Sequence, residues 1–376
     1  MRLLLASLLT TVGAALPAQQ FDTRGLPADA AIILVTAPTA GLQINSSPAM
    51  KALRERAEKL SLKTAANAGG KVNYDKIMRD EMGLDLNDPH NSFAVGVNIA
   101  TGANGEPVFS GAAILRVKVD PKKVAAFAQK NGVATLSAGG KTGWNAVEFA
   151  AAVDGRKGAT PATDPDSFVL GLFVVDASTI VLTQPKDAAA CFASLAGKTP
   201  PYALGAAAKS LVTETGKPYG FAAVNLARLP KDAPDVEKMG LVSAMMAFGE
   251  NGPNQVYKIA GNFTSAEKAK TAGQQIQGFM AAAPLLLAID PSEPPEQQAI
   301  KKMGADFVAS IQPVKVNGNT ASMTMSIETE KLFGMVSQIM DLAEKQADAQ
   351  GNGGATTPAV KANGGKKKPA PAPTTK

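Results

Sequence analysis

The sequence contains very few of the residues that most catalytic and metal sites need. It has one cysteine, one histidine and one tryptophan in 376 residues. A single cysteine excludes an intramolecular disulfide bond, and one cysteine with one histidine cannot complete the nitrogen and sulfur ligands of a zinc site. A serine–histidine triad could be built only around that one histidine. We therefore assign no catalytic residue, no metal ligand and no cofactor from the sequence.

Aromatic residues and excess charge in the body of the chain are also scarce. Aromatic residues make up 5% of the sequence, which predicts a core of small aliphatic contacts and few surfaces for stacking sugars. The formal net charge is +6, but five lysines lie in residues 351–376 and Arg2 lies at the start. Without these six the chain has 32 basic and 32 acidic residues. A basic surface for nucleic acid is therefore not expected.

Long apolar runs are absent after the first residues, whose layout is typical of a secretory signal. Arg2 precedes the apolar stretch Leu3–Leu16, and Ala18 provides a small residue before a cleavage point. The stretch is short and is interrupted by serine and threonine, which disfavours a membrane-spanning helix. We expect residues 1–18 to be a signal peptide. The mature chain would then be exported to the periplasm or the exterior without a transmembrane span.

The rest of the chain predicts an α+β fold made of antiparallel sheets covered by amphipathic helices. Hydrophobic residues make up 45% of the sequence, enough for a large core. Pro200-Pro201 cannot continue a helix and divides the chain into a first half, 19–200, and a second half, 201–349. Periodicity predicts a strand around Trp144–Ala151 and a helix over Asp235–Phe248. The Gly-, Pro-, Ala- and Lys-rich residues 350–376 predict a disordered basic tail.

The clearest local pattern lies near the end of the body, where two extended runs flank Asn317-Gly318. This pair favours the positive φ angles of a tight hairpin, and a helix follows from Thr329. The turn at Asp176 and the helix that begins at Pro185 form a similar module. Val97-Asn-Ile-Ala likewise matches Val224-Asn-Leu-Ala, and the helix over Asp235–Phe248 would account for the different spacing. These matches predict an internal duplication.

Three short patterns resemble a broad group of uncharacterised bacterial exported proteins, of the domain-of-unknown-function type. They are Leu26-Pro-Ala-Asp, Asp88-Pro-His-Asn-Ser-Phe and Val316-Asn-Gly-Asn-Thr-Ala-Ser. Members of the group are built from two related α+β halves. The resemblance implies the same architecture and export for this chain, and it provides no catalytic residue.

Each candidate for chemistry has a structural interpretation beside the functional one. His90 could be a general base, but its turn sequence is typical of a polar residue that precedes a strand. Cys191 could be a nucleophile, but it lies on an apolar helical stripe, where a thiol usually packs as a small hydrophobe. Four methionines could bind a soft metal or fill the core, and packing is the favoured interpretation: Met323, Met325, Met335 and Met340.

The sequence favours a non-enzymatic envelope protein, a binding or scaffold module whose partner is a protein or an envelope polymer. The alternative is a hydrolase that uses Asp and Glu on an envelope polymer. In the tail, Lys366, Lys367 and Lys368 could make weak contacts with an anionic surface. Two converging carboxylates in a deep cleft would favour the hydrolase, whereas a broad exposed apolar patch would favour the binding protein.

Overall fold

The fold is α+β, with helices packed against one large antiparallel sheet. A computed structural model describes residues 21–67, 77–102, 105, 107–155, 169–230 and 239–352. The strands are β1 Ile32–Thr36, β2 Ser92–Thr101, β3 Pro107–Arg116, β4 Thr135–Ala138, β5 Lys141–Asn145, β6 Gly171–Asp176, β7 Thr179–Thr183, β8 Lys217–Asn225, β9 Leu241–Asn251, β10 Asn254–Phe263, β11 Lys315–Asn317 and β12 Thr320–Glu328.

The helices cover parts of both faces of the sheet. They are α1 Gln43–Ser46, α2 Pro48–Asn67, α3 Pro121–Lys130, α4 Ala146–Val153, α5 Pro185–Leu195, α6 Ala206–Thr213, α7 Ala266–Leu286, α8 Pro295–Ala309 and α9 Thr329–Asn352. A π-helical turn spans Ile77–Glu81, and a 3₁₀ turn spans Leu226–Arg228. The predicted signal peptide and the predicted basic tail, with Lys366, Lys367 and Lys368, lie outside the described residues.

The strand order joins the two predicted halves through the short strand β1. Along the sheet the order is β11-β12-β10-β9-β8-β1-β2-β3-β7-β6-β5-β4, and neighbouring strands are antiparallel. The strand order outward from β1, 1-2-3-7-6, resembles the order outward from β8, 8-9-10-12-11. In each series three consecutive strands are followed by a hairpin whose later strand comes first. The sequence match between Val97 and Val224 would make β8 the counterpart of β2. The strand order instead makes β8 the counterpart of β1. The duplication and the boundary near Pro200-Pro201 stay predictions.

The hairpin near the end of the body has the predicted turn. Gly318 has φ of +54°, a conformation that glycine adopts without a Cβ clash. β12 then alternates small polar residues with apolar ones, so that Ala321 and Ile327 are buried on one face. The opposite face of β12 carries serine and threonine. This alternation shows that β12 buries the face that carries Ala321 and Ile327.

Two of the predicted elements are wrong. β5 ends at Asn145, and α4 replaces the strand expected over Trp144–Ala151, because the Asn145 side chain accepts the N–H groups of Val147 and Glu148 and caps a helix. The helix expected over Asp235–Phe248 is strand β9 from Leu241 onward. β9 lies in the middle of the sheet with apolar side chains on both faces, so its sequence lacks the alternation of a half-buried strand.

One face of the sheet, which we call the covered face, carries the main hydrophobic core. Helices α5 and α6 and the segment before β1 pack on it. Ile33 and Val35 of β1 are 1% and 0% exposed, and Phe173 and Phe221 of other strands are fully buried. The cluster combines residues from both predicted halves. The fold therefore has a shared core on this side of the sheet.

Candidate functional site

The opposite side of the central strands carries a continuous apolar surface, which we call the open face. Directly paired residues lie on the same face of an antiparallel sheet. Ile32 pairs with Val97 and Val224, and Leu34 pairs with Val95 and Ala222. The series continues outward through the pairs of β3, β9, β10 and β12. We define the open face by these residues: Ile32, Leu34, Phe93, Val95, Val97, Ile99, Ala113, Ala222, Val224, Ala244, Met246, Ile259 and Met323.

The helices of the described residues cover the open face less than they cover the rest of the sheet. All of its side chains except that of Ile259 are half-buried, and Ile259 is 37% exposed. None of them belongs to the four core clusters formed by the described residues. In the described part of the chain, β1 and β2 make their extensive contacts with other strands and not with a helix. The described residues therefore pack the centre of the sheet mainly on the covered face.

The larger side chains of β2 point to this less protected side. Val95 and Val97 lie on the open face, whereas Ala94 and Gly96 lie on the covered face and are buried. A half-buried strand normally directs its larger apolar side chains toward the core. β2 has the reverse arrangement. The apolar residues of the open face thus lie outside the core clusters of the described residues.

Helices cover the sheet on both sides of the open face. At β6 and β7, α3 and α4 bury the same face through a cluster that includes Phe127, Phe149 and Ile180. At β10 and β12, α7 covers Ala321 through Ala269. Five strands, β9, β8, β1, β2 and β3, lie between these covers, which corresponds to a width of about 24 Å at the usual strand spacing. These five strands lie between two groups of covering helices.

The open face carries no ionisable side chain among its described residues. Glu250 lies on the same side of β9 as Met246, but it is buried at the end of the strand. Lys258 lies on the opposite side of β10 and pairs with Glu214. An uncharged aliphatic surface can bind apolar groups, but it has no group for acid–base or nucleophilic catalysis. Its two methionines, Met246 and Met323, have flexible side chains that adapt to different partners.

A buried polar cluster near the end of β9 has a structural role. Glu250 is 1% exposed, and its carboxylate accepts the backbone N–H groups of Gln43 and Ile44, each at 3.2 Å. The Gln255 side-chain amide donates to Glu250 at 3.4 Å and to Thr329 at 3.0 Å. Since α1 has no side-chain cap of its own, Glu250 satisfies the first N–H groups of that helix from a distant strand. The cluster connects α1, β9, β10 and α9.

His90 occupies an exposed turn. Its side chain is 76% exposed, and Nδ1 lies 2.9 Å from the Asp88 carboxylate two residues earlier. The His90 backbone N–H donates to the same carboxylate and lowers the pKa of Asp88. Sequence-local contacts therefore account for the position of this histidine, as in the structural interpretation.

Cys191 lies in the covered-face core. Burial raises the pKa of its thiol to about 12, so the thiolate that would act as a nucleophile is not formed near neutral pH. The structure places this residue among apolar side chains, in agreement with the packing interpretation. His90 and Cys191 do not share a site.

The four methionines lie on two elements, β12 and α9. Met323 and Met325 lie on β12, opposite Ile259 and Tyr257, whereas Met340 of α9 packs beside the cluster around Phe333. In the described residues, no group of three or more His, Cys, Asp or Glu side chains could hold a metal ion. Met323 was expected in the core and instead forms part of the open face.

None of the described carboxylates has the features of a general acid. Glu328 and Glu330 line a cleft of about 360 Å³ near α1, and Glu330 accepts the Ser47 hydroxyl at 3.0 Å. Each described Asp or Glu with a shifted pKa has it lowered, which favours the charged form: Asp22, Asp88, Asp176, Glu214 and Asp290. A catalytic acid at neutral pH needs a raised pKa.

Comparison with known proteins gives little further information. No protein-family model matches the chain, and no curated protein matches it. The structure is similar to crystal form I of TP0453 at 11% identity, over 86% of this chain and 98% of that one, with a TM-score of 0.35. For crystal form III of TP0453 the identity is 9%, the coverage 85% and 98%, and the TM-score 0.37. Of the described helices, none combines the length and apolar character needed to cross a membrane.

Proposed function

We propose that this chain is an exported, non-enzymatic binding module of the cell envelope, and that the open face is its binding surface. The observation that carries the proposal is the arrangement of β2, which directs Val95 and Val97 to the side where no described helix makes extensive contact with β1 or β2. Contiguous exposed apolar surfaces on folded proteins commonly mark interaction sites. Export rests on the signal-like residues 1–18, and no observation in the described residues favours the Asp/Glu hydrolase.

The surface favours a broad partner over a small ligand. Small molecules bind in concave pockets that enclose most of their surface and provide a few polar groups for orientation. The open face extends over seven strands, from β12 to β3, and the residues that define it are uncharged. A partner that presents a flat or ridged apolar surface would remove these side chains from water and so gain free energy.

Binding of an apolar fluorescent dye tests the proposal. We expect 1-anilinonaphthalene-8-sulfonate to bind the dilute native chain, and the Val95→Glu/Val97→Glu variant to lose most of the fluorescence because two carboxylates enter the open face and repel the sulfonate. The matched control is Ser322→Glu/Thr324→Glu, which places two glutamates on the polar side of β12. Circular dichroism checks that all three proteins are folded.

The outcomes separate the possibilities clearly. Retained fluorescence in the control and lost fluorescence in the open-face variant would support the proposal. Native protein that fails to bind the dye, or equal loss in both folded variants, would contradict it.

A further inference from the structure

A second apolar surface lies on the helical hairpin formed by α7, residues 287–294 and α8. Residues 271–289 of this hairpin contain no charged side chain. Phe279, Leu285 and Leu286 are 67%, 81% and 68% exposed, far more than is usual for large apolar residues. In α8, Ile300 and Phe307 are also exposed and lie seven residues apart, on the same side of the helix. This hairpin is thus a second apolar surface, more exposed than the half-buried open face.

Contacts at the base of the hairpin hold it at the β11 end of the sheet. A Cβ at Gly273 of α7 would lie 2.8 Å from Val316, so this side of α7 lies directly against β11 and the residues before it. α8 is paired with α9 through the ion pairs Lys331–Asp306 and Lys345–Glu296. The base of the hairpin is therefore attached on two sides. The exposed residues of its far half have no cover from these contacts.

The hairpin and the open face have matching sizes. Two packed helices have axes 8–10 Å apart and together cover about 20 Å of a surface. The part of the open face between the helical covers, five strands, is about 24 Å wide and, over five residues of each strand, about 17 Å long. Its footprint is therefore about 400 Å². If two copies each placed a hairpin on the other's open face, the four surfaces would bury about 1,600 Å², the size of a standard stable interface.

We propose that a second copy of this chain covers the open face, with the α7–α8 hairpin of each copy lying on the open face of the other. The inference rests on the proposed function, in which the open face is a binding surface. The residues of the open face and residues 271–289 of the hairpin carry no charge, so contact between these two parts buries no unpaired charge. Because each copy contributes one hairpin and one open face, a two-fold axis closes the assembly as a dimer.

Disulfide cross-linking between copies tests the geometry of this dimer. A Leu286→Cys chain is mixed with a Val97→Cys chain, and the mixture is oxidised; buried Cys191 does not compete. We expect a covalent dimer that contains both variants. The control mixture replaces Val97→Cys with Thr324→Cys, on the other side of β12, and should cross-link far less.

Two results would overturn the dimer. One is a Leu286→Cys/Val97→Cys mixture that cross-links no more than the control. The other is a chain with both substitutions that forms a disulfide within a monomer, because the hairpin would then cover the open face of its own chain.

Sedimentation of the full chain gives an independent test. We expect a concentration-dependent monomer–dimer equilibrium, with a dissociation constant raised roughly tenfold or more by Leu286→Glu. Mixing Leu286→Glu with Val97→Glu should restore part of the dimer, since one hairpin and one open face remain intact in the mixed pair. Open-ended oligomers, or a monomer at every concentration, would overturn the reciprocal dimer.

Further measurements identify which proposal has failed. A monomer that still binds the dye on its open face would refute the dimer and leave the binding function standing. A monomer without dye binding would refute both. Wild-type monomer that associates with phosphatidylcholine vesicles, with the association lost in Leu286→Glu, would assign the hairpin to a lipid surface and overturn the dimer.

Discussion

Glu250→Ala is expected to lower the free energy of unfolding by about 3 kcal/mol, since several buried donors lose their acceptor together. The carboxylate is 1% exposed and accepts the N–H groups of Gln43 and Ile44. Gln255 also donates to it. An unsatisfied buried polar group costs about 1–3 kcal/mol, and the alanine leaves a cavity as well. Chemical denaturation of both proteins measures the loss.

The control for this prediction is Glu55→Ala, on the exposed side of α2. Removing that carboxylate should change the free energy of unfolding by about 0.5 kcal/mol or less. Glu250→Gln should give an intermediate result, because the amide keeps one oxygen acceptor but presents an N–H group to other donors. If Glu250→Ala were no more damaging than Glu55→Ala, the buried cluster would not connect α1 to the sheet as described.

Val35→Glu and Leu34→Glu should differ strongly, although the two residues are neighbours in β1. Val35 is 0% exposed in the covered-face core, so a carboxylate there is buried without a partner. We expect a loss of 4 kcal/mol or more, at about the level that prevents folding. Leu34 lies half-buried on the open face, where a glutamate can reach water. Its substitution should cost about 1 kcal/mol.

Soluble yield and urea denaturation of dilute protein measure this difference. Leu34→Glu should also reduce non-specific association, because it introduces a charge into a contiguous apolar surface. If Leu34→Glu prevented folding to the same degree as Val35→Glu, the open face would be part of the hydrophobic core.

The fold class follows from the sequence because the periodic patterns are local. β12 alternates serine and threonine with apolar residues, and Asn317-Gly318 marks the turn before it. β9 escaped prediction as a strand because Met245 and Met246 point to opposite faces, and both faces of this central strand carry apolar residues. Local alternation is lost where a strand is apolar on both sides.

The open face could not be predicted from the sequence for a different reason. The pattern of Val95 and Val97 predicts a strand with one apolar face, but not which segments cover that face. The surface exists because β1 pairs with both β2 and β8, which are distant in sequence, and because the helices pack elsewhere. Pairings at such separation are set by the whole fold, and no motif near either residue encodes them.

The most direct test of the account is the accessibility of the open face in the native chain. A single cysteine is introduced at Val97, on the open face, or at Val35, on the covered face, and dilute folded protein is treated with a maleimide. Cys191 is buried with a pKa raised to about 12, so it contributes little background. Val97→Cys, at a half-buried position, should react in the native state, whereas Val35→Cys should react only on unfolding. Equal protection of both cysteines in the native monomer would contradict the open face and the binding function proposed for it.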